Sequence, residues 1–345
     1  MKNDVVTLLV NKTEKNLLSS EQPLVSVVIP MFNERDNISV CLASLFAQDY
    51  PANKIEICVV DGASTDGSDE IVQEYAIAHP NMKLLSNPDR ITPRGLNIGI
   101  KAASGEVVVI LGAHTKVEQD FITKNIRYMR QQSVPCVGGT QINLGETYVQ
   151  QAIGYAMGSP FGIMSAPYRY RKNAGFVDTV VYAAYHRSLF DEVGYFEEEK
   201  IISEDAELNW RIRKAGHKIY FSPEIVSYYL PRKNLLRLGK QFFRYGIFRV
   251  NVVKKHIDAL KLLHLIPPMF VLSLLVTGIF SFFSASMKPF FMALLLLYVL
   301  FLTVATLTTA SRSGWKHLPV LPLAFIMMQL SFGFGFWVGL FKSHH

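Results

Sequence analysis

Cysteine is scarce: three in 345 residues, Cys41, Cys58 and Cys136, far apart and each among apolar neighbours. That spacing excludes a disulfide framework or a cysteine metal site and predicts reduced thiols inside a core. Two nucleotide signatures are also missing. The chain has no Gly-x-x-x-x-Gly-Lys loop and no Gly-x-Gly-x-x-Gly turn, so ATPase and dinucleotide-binding readings fall. There is no internal repeat and no low-complexity linker. Residues 1–22 are mixed polar without an apolar core long enough for export. They read as a flexible tail, and the domain after them is expected in the cytoplasm.

Charge is missing where it matters most. After about residue 262 three stretches carry none: Leu262 to Met287, Pro289 to Ala310, and Leu318 to Phe341. Each exceeds the roughly 20 apolar residues that cross a bilayer. Residues 262–345 are therefore expected to be a transmembrane region of about three helices, the first stretch being open to partial re-entry. Pro267, Pro268 and the glycines of "SFGFGFWVGL" suit membrane helices. Arg312 and Lys316 lie in the second connecting loop, against little beyond Lys288 in the first. This asymmetry predicts a multi-pass protein of the plasma (inner) membrane with its soluble domain on the cytoplasmic side.

What is abundant is positive charge beside that region. Nine Lys/Arg stand between Arg232 and Lys261 against only Asp258, interleaved with Phe242, Phe243, Tyr245 and Phe248. Residues 232–261 read as a basic amphipathic segment lying on an anionic membrane surface, and no nucleic-acid partner is expected.

Residues 23–231 alternate between two periodicities. "LVSVVIP", "KIEICVVDG", "MKLLSNP" and "EVVVIL" are short apolar strands. Between them, helical spacing runs from Ile38 to before Pro51, from Gly67 to Pro80, and from Thr92 to Gly105, with Pro93 in a first turn. This order predicts an α/β domain with a mainly parallel sheet, whose ligands sit at the carboxyl ends of the strands. Those ends carry "PMFNE", "DGASTDG", "NPDR" and "GAHT". Asp61 stops the second strand, and a carboxylate there can accept the N–H of a base. Asp66 and Asn33 read equally as ordinary cap and turn residues.

At this point the chain resembles the family 2 glycosyltransferases, whose nucleotide-sugar domain has the Rossmann-like GT-A fold. "VSVVIPMFNE", "VVDGASTDGS", "RGLNIGIKAASGEVVVIL" and "SEDAELNWRIRKAGHKIYFSPE" occur in the family's order over roughly residues 23–250. "VDTVVYAAYHRSLFDEVGYF", "YYLPRKNLLRLGKQFFRYG" and "IPPMF" are similar to the succinoglycan-type ExoA branch, which adds sugars to lipid-linked oligosaccharides in exopolysaccharide assembly. The resemblance implies that Pro30, Asn33 and Glu34 line a uridine pocket, that Asp61 holds the uracil edge with Asp66 nearby, and that Arg94 faces the diphosphate. The implied metal motif, Asp-x-Asp, is here Gly112-Ala113-His114. Histidine can still ligate Mn²⁺ or Mg²⁺ together with substrate phosphates, or it can hydrogen-bond a phosphate or sugar. The glycine implies either a positive φ or crowding of a side chain by the sugar.

Inverting transfer needs a base for the acceptor hydroxyl. Glu204 and Asp205 stand in a helix first turn, where the dipole favours acids in any case. The resemblance makes Asp205 the base and Glu204 an orienting group. "QFFRY" resembles the family's Gln-x-x-Arg-Trp motif, with Tyr245 for tryptophan. Gln241 and Arg244 would close over the donor diphosphate, or the segment is simply a solvated basic helix. The expected activity is transfer of a hexose from a nucleotide-sugar such as UDP-glucose to a polyprenyl-diphosphate-linked glycan, with other polysaccharide-assembly proteins as possible partners. A processive polysaccharide synthase and a non-catalytic nucleotide-sugar-binding membrane protein are the rivals.

Overall fold

The computed structural model describes residues 17–163, 166–198, 204–255, 260 and 262–341. They form two compact units. The first holds described residues up to 141, 171–198 and 204–228; the second holds those of 142–170 and of 229–341. Residues 142–170, which the sequence reading kept within the 23–231 domain, thus cluster with the C-terminal helices.

In the first unit the alternating pattern forms as predicted. β1 (Val25–Met31), α1 (Ile38–Phe46), β2 (Ile55–Asp61), α2 (Ser68–Ala78), β3 (Met82–Ser86), α3 (Thr92–Ala102) and β4 (Val107–Ile110) follow in order. β3, β2, β1 and β4 lie side by side, all parallel, with Val25 opposite Ile55 and Val107. The β-branched runs are buried because both faces are covered. Val27, Ile29, Ile57, Val59, Val107 and Val109 join Ile38, Leu42 and Leu45 of α1 in one core. Gly99 lets α3 press onto the sheet, since a Cβ there would run into Val28. Pro30 is tolerated because β4 pairs with β1 only as far as Val28, so its absent N–H is not missed there.

The same unit continues with β5 (Thr115–Val117), α4 (Phe121–Gln132), β6 (Cys136–Asn143), β7 (Gly175–Val177), β8 (Ala184–His186), α6 (Ser188–Val193), α7 (Glu204–Lys214) and β9 (Ile219–Tyr229); α5 (Tyr148–Met157) belongs to the second unit. Among the described residues nine strands make one sheet, and the later pairs β4–β8, β6–β8 and β7–β9 are antiparallel. The parallel half is thus extended by an antiparallel half, giving the mixed sheet of a GT-A-like domain. All three cysteines are buried and free, and burial pushes the Cys41 thiol up to about 12 and Cys58 to about 11. They are inert core thiols.

One polar knot sits inside this sheet. Glu56 accepts from Ser26 in the register-paired position, from the Ser104 N–H at 2.7 Å and hydroxyl at 2.9 Å, and from Lys83 Nζ at 2.6 Å. Burial alone would raise its pKa, but Lys83 and the other donors bring it down to about 2.

The second unit is helical: α5, α8 (Leu235–Lys255), α9 (Leu262–Phe283), α10 (Lys288–Ser313) and α11 (Leu321–Phe341). A capping box at Thr147 and Gln150 starts α5. Ile153, Met157, Leu238, Phe242, Phe325 and Met328 share a core. Three segments are long and apolar enough to cross a membrane, Leu262–Phe283, Ala285–Ser313 and Leu321–Phe341. They turn large side chains such as Phe282, Phe283, Phe290 and Leu296 outward, as lipid contact requires. The glycines of α11 have distinct neighbours. A Cβ on Gly333 would meet Val271 and Pro267 of α9, one on Gly335 would run into the Phe243 carbonyl, and one on Gly339 would meet Ile247. α8 in turn uses Gly246 against Phe332, so α8 and α11 touch backbone to backbone.

Candidate active site

The loops after β1 and β2 are laced together by their own polar side chains. Asn33 adopts φ 54°, which asparagine tolerates, and so presents both its N–H and its side chain to the neighbouring loop. Its N–H donates to Ser64 Oγ at 2.9 Å, and its Oδ1 accepts from the Thr65 N–H at 2.8 Å. The Glu34 N–H donates to Ser68 Oγ at 2.8 Å, and the Arg35 N–H donates to Asp66 Oδ2 at 3.1 Å. Asp61 accepts from the Ser64 N–H at 3.1 Å and hydroxyl at 2.6 Å, and remains half-buried at the strand end. Asp66 also accepts from the N–H and hydroxyl of Ser68. Burial opposes its ionisation, but Ser68 and Arg35 hold it below its ordinary value. The structure places Asp66 as the clamp of this turn and Asp61 as the carboxylate at the edge of the loop pair.

The third and fourth loops join them. The Asn87 N–H donates to the Asp61 carbonyl at 2.7 Å. Arg90, with φ 57°, donates to the Ala63 carbonyl at 3.3 Å and lies 5.3 Å from the centre of the Phe32 ring. Arg94 pairs instead with Asp89 at 2.5 Å and with Glu198 at 3.2 Å. The sequence reading named Arg94 for the diphosphate and did not name Arg90, which the structure sets beside the Asp61 loop. Arg90 stands in "NPDR", immediately after β3.

At the end of β4, Ala113 is buried and His114 Nδ1 lies 2.8 Å from Glu34 Oε1, while Glu34 Oε2 accepts from Asn37 Nδ2 at 2.7 Å. The two residues are 80 apart in sequence, so no motif could have paired them. With the proton on Nδ1 facing a carboxylate, Nε2 is the Lewis-basic nitrogen, the arrangement that orients histidine ligands in metal sites. Gly112 does not have a positive φ, which excludes the first reason considered for a glycine here. An added Cβ would lie 3.3 Å from both Thr115 Oγ1 and the Tyr182 hydroxyl, tight but adjustable. Among the described residues no group of three or more His, Cys, Asp and Glu could hold a metal ion. The site therefore offers one oriented imidazole rather than a cage, which fits a divalent ion shared with substrate phosphates.

Asp205 and Glu204 open α7. Leu208 and Ile212 bury one face of that helix, Glu207 pairs with Arg211 at 2.8 Å, and Arg211 donates to the Gly194 and Tyr195 carbonyls, both at 2.9 Å. Asn209 donates to Thr179 Oγ1 and the Val180 carbonyl, both at 2.9 Å. With the helix fixed at these points, its first turn stands near Cys136 and Tyr185, both of which feel the Asp205 charge. Burial, and then repulsion from Glu204, hold the Asp205 carboxyl well above the ordinary carboxylate range. Such a group is a stronger proton acceptor than an exposed aspartate.

Gln241, Arg244 and Tyr245 lie in the second unit, on α8. Gln241 Nε2 donates to the Tyr245 hydroxyl at 2.7 Å and the Tyr229 hydroxyl at 3.3 Å, and its Oε1 accepts from Arg232 Nε at 3.3 Å. Arg244 is exposed.

Residues 26–194 match the family model described as Glycosyl transferase family 2. The dolichyl N-acetyl-alpha-D-glucosaminyl phosphate 3-beta-D-2,3-diacetamido-2,3-dideoxy-beta-D-glucuronosyltransferase of Methanococcus voltae is 30% identical over 331 residues, covering 93% of this chain and 98% of that protein. The chain belongs to glycosyltransferase family 2. A second relative of this glycosyltransferase is the succinoglycan biosynthesis protein ExoA of Rhizobium meliloti, 28% identical over 232 residues, 67% of this chain and 70% of that one. Among solved structures, the mannosyltransferase PcManGT from Pyrobaculum calidifontis, in complex with GDP-Man and Mn²⁺, superposes with a TM-score of 0.59 at 19% identity. That likeness covers 98% of this chain and 94% of the other, and it shows that the glycosyltransferase shares the GT-A fold.

Proposed function

We propose that this glycosyltransferase is a multi-pass membrane enzyme that moves a hexose, with inversion, from a nucleotide-sugar such as UDP-glucose to a polyprenyl-diphosphate-linked glycan at the cytoplasmic face. The observation that carries this is the Asp205 carboxyl, made basic by burial and by Glu204 at the start of a helix pinned through Arg211 and Asn209. The Methanococcus voltae relative, named for action on a dolichyl-phosphate-linked sugar and matched along nearly its whole length, supports the lipid-linked acceptor. Three apolar helices support the membrane setting.

In this reading Asp61 accepts the N–H of the base, while Pro30, Asn33 and Glu34 shape the pocket beside it. Arg90 and Arg94 supply positive charge for the donor diphosphate. His114, oriented by Glu34, would hold a divalent cation together with that diphosphate; when bound, the ion neutralises charge on the leaving group. The acceptor hydroxyl attacks the anomeric carbon, Asp205 takes its proton, and the bond to the diphosphate breaks on the opposite face. Glu204 keeps Asp205 basic.

The test is incubation of membranes containing the protein with labelled nucleotide-sugars, followed by extraction of lipid-linked product. A single added sugar is expected. A ladder of products would make it a processive synthase, and label that never enters the lipid fraction would defeat the acceptor reading.

A further inference from the structure

Among the described residues of the second unit, acidic side chains are nearly absent. Across its described residues Glu146 is the sole carboxylate side chain. None of Arg169, Arg232 and Arg249 is paired with a carboxylate among the described residues. Arg169 ends a short turn, Pro167–Arg169, with its guanidinium 5.5 Å from the centres of both the Tyr168 and Tyr229 rings. Its Nη1 donates to Asn143 Oδ1 at 2.8 Å, but its Nε is buried without an acceptor. Arg249 follows Tyr245 by four residues on α8 and so shares its face, where desolvation lowers the Arg249 pKa and the Tyr168 phenol acts in the opposite direction. Tyr245 completes the group: burial raises its phenol pKa, and the nearby Arg169 charge lowers it.

A guanidinium drawn out of water without an anion destabilises the fold, and an orphaned buried N–H such as Arg169 Nε adds to that. Guanidinium forks and phenol O–H groups are donors suited to tetrahedral phosphate oxygens. We propose that Arg169 and Arg249, framed by Tyr168, Tyr229 and Tyr245, form a subsite for the phosphate of a lipid-linked acceptor, a phosphodiester or diphosphate anchored in the bilayer by its chain. This rests on the acceptor class proposed above and assigns its anionic part to named residues. The bilayer is favoured over solution as the source because this unit also carries the three helices able to span a membrane. In this arrangement Gln241 is a positioning residue, holding Tyr229, Tyr245 and Arg232 at once.

The experiment uses the full-length protein in phosphatidylcholine nanodiscs, with polyprenyl diphosphate carrying no sugar as the probe. R249Q and R169Q should each weaken its binding about tenfold or more, with R169K intermediate because the charge remains and the fork does not. In R249Q without probe the melting temperature should not fall and UDP binding should stay unchanged, which separates ligand loss from misfolding. Equal probe affinity in wild type and all three variants would overturn the subsite and leave the lipid-linked acceptor standing. A wild type that binds uncharged polyprenol as well as the diphosphate would remove the acceptor reading and the subsite with it. Equal displacement of the probe by phosphatidylglycerol would make this a general headgroup site. Equal displacement by inorganic pyrophosphate would make it a soluble-anion site. Loss of UDP binding in R249Q would give the arginines to the donor. Each of these last three overturns the proposal.

Discussion

Asp205→Asn should separate activity from stability in opposite directions. The amide keeps the size of the side chain but accepts no proton, so transfer should fall by ~10²–10⁴-fold, the usual contribution of a positioned base. That is about 2.7–5.5 kcal/mol of barrier. The folded protein should gain. The Asp205 pKa is raised by burial and by Glu204, so the native state binds its proton more tightly than the unfolded chain does. The sign follows: as pH rises from the unfolded value towards the native one, ionisation increasingly weakens the wild-type fold. One pH unit of upward displacement corresponds to about 1.4 kcal/mol, and solvent reaches half-buried Asp205, so the variant should gain on the order of 1–2 kcal/mol at pH 8. The gain should fade towards pH 4. The assay is the initial rate of transfer to lipid at saturating donor, beside melting temperature between pH 4 and 9, on the full-length protein in nanodiscs. Turnover within a few-fold of wild type would remove Asp205 from the base role. A melting temperature that falls at pH 8 would show that favourable partners hold the carboxylate, and the account of its basicity would be wrong.

Three further outcomes are expected. His114→Ala should raise the Mn²⁺ or Mg²⁺ concentration giving half-maximal transfer, and Glu34→Gln should raise it by about tenfold through loss of the orienting carboxylate; titrations identical to wild type in both variants would deny the ion to this pair. Gly112→Asp should fold, because its φ is not positive and Thr115 and Tyr182 need yield only slightly, and it should lower the metal requirement; a folded but inactive variant would show that the glycine makes room for the sugar, and an insoluble one that Thr115 and Tyr182 do not yield. Lys83→Met should destabilise the first unit by about 1–3 kcal/mol near neutral pH by leaving Glu56 buried without its cation. Because the Glu56 pKa is depressed to about 2, its stabilisation is present above the unfolded value of 4.5 and is lost as pH falls towards 2. The wild type should therefore resist acid further down that window than the variant, as followed by far-ultraviolet circular dichroism.

The alternating half of the first unit was legible because its forces are local. β-branched runs made strands, Pro93 opened α3, and the four polar loops had to fall at one end of a parallel sheet. The three apolar stretches likewise needed only counting. Long-range pairing was out of reach. Nothing in the sequence linked Glu34 to His114, or gathered Ser26, Lys83 and Ser104 around Glu56. Arg90 went unnoticed because its conformation, not its neighbours in sequence, aims it at Ala63. Residues 142–170 were kept with the soluble domain without any element assigned to them, and the helix Tyr148–Met157 within them is seen only in the structure. Which core it joins is decided by Ile153 and Met157 meeting Leu238 and Phe325.

The glycines shared by α8 and α11 couple the Gln-x-x-Arg-Tyr motif to an apolar helix. Where two helices meet through side chains, one can slide as rotamers adjust; where they meet through backbone, as at Gly335 with Phe243 and Gly246 with Phe332, they move as one rod pair. Gln241, Arg244 and Tyr245 ride on the first rod, and the second is long enough to span the bilayer. A span tilts when the hydrocarbon around it is too thin. Were α11 to cross a bilayer, lipid thickness would become a mechanical input to the Gln-x-x-Arg-Tyr motif, because a change in the tilt of α11 would carry α8 with it.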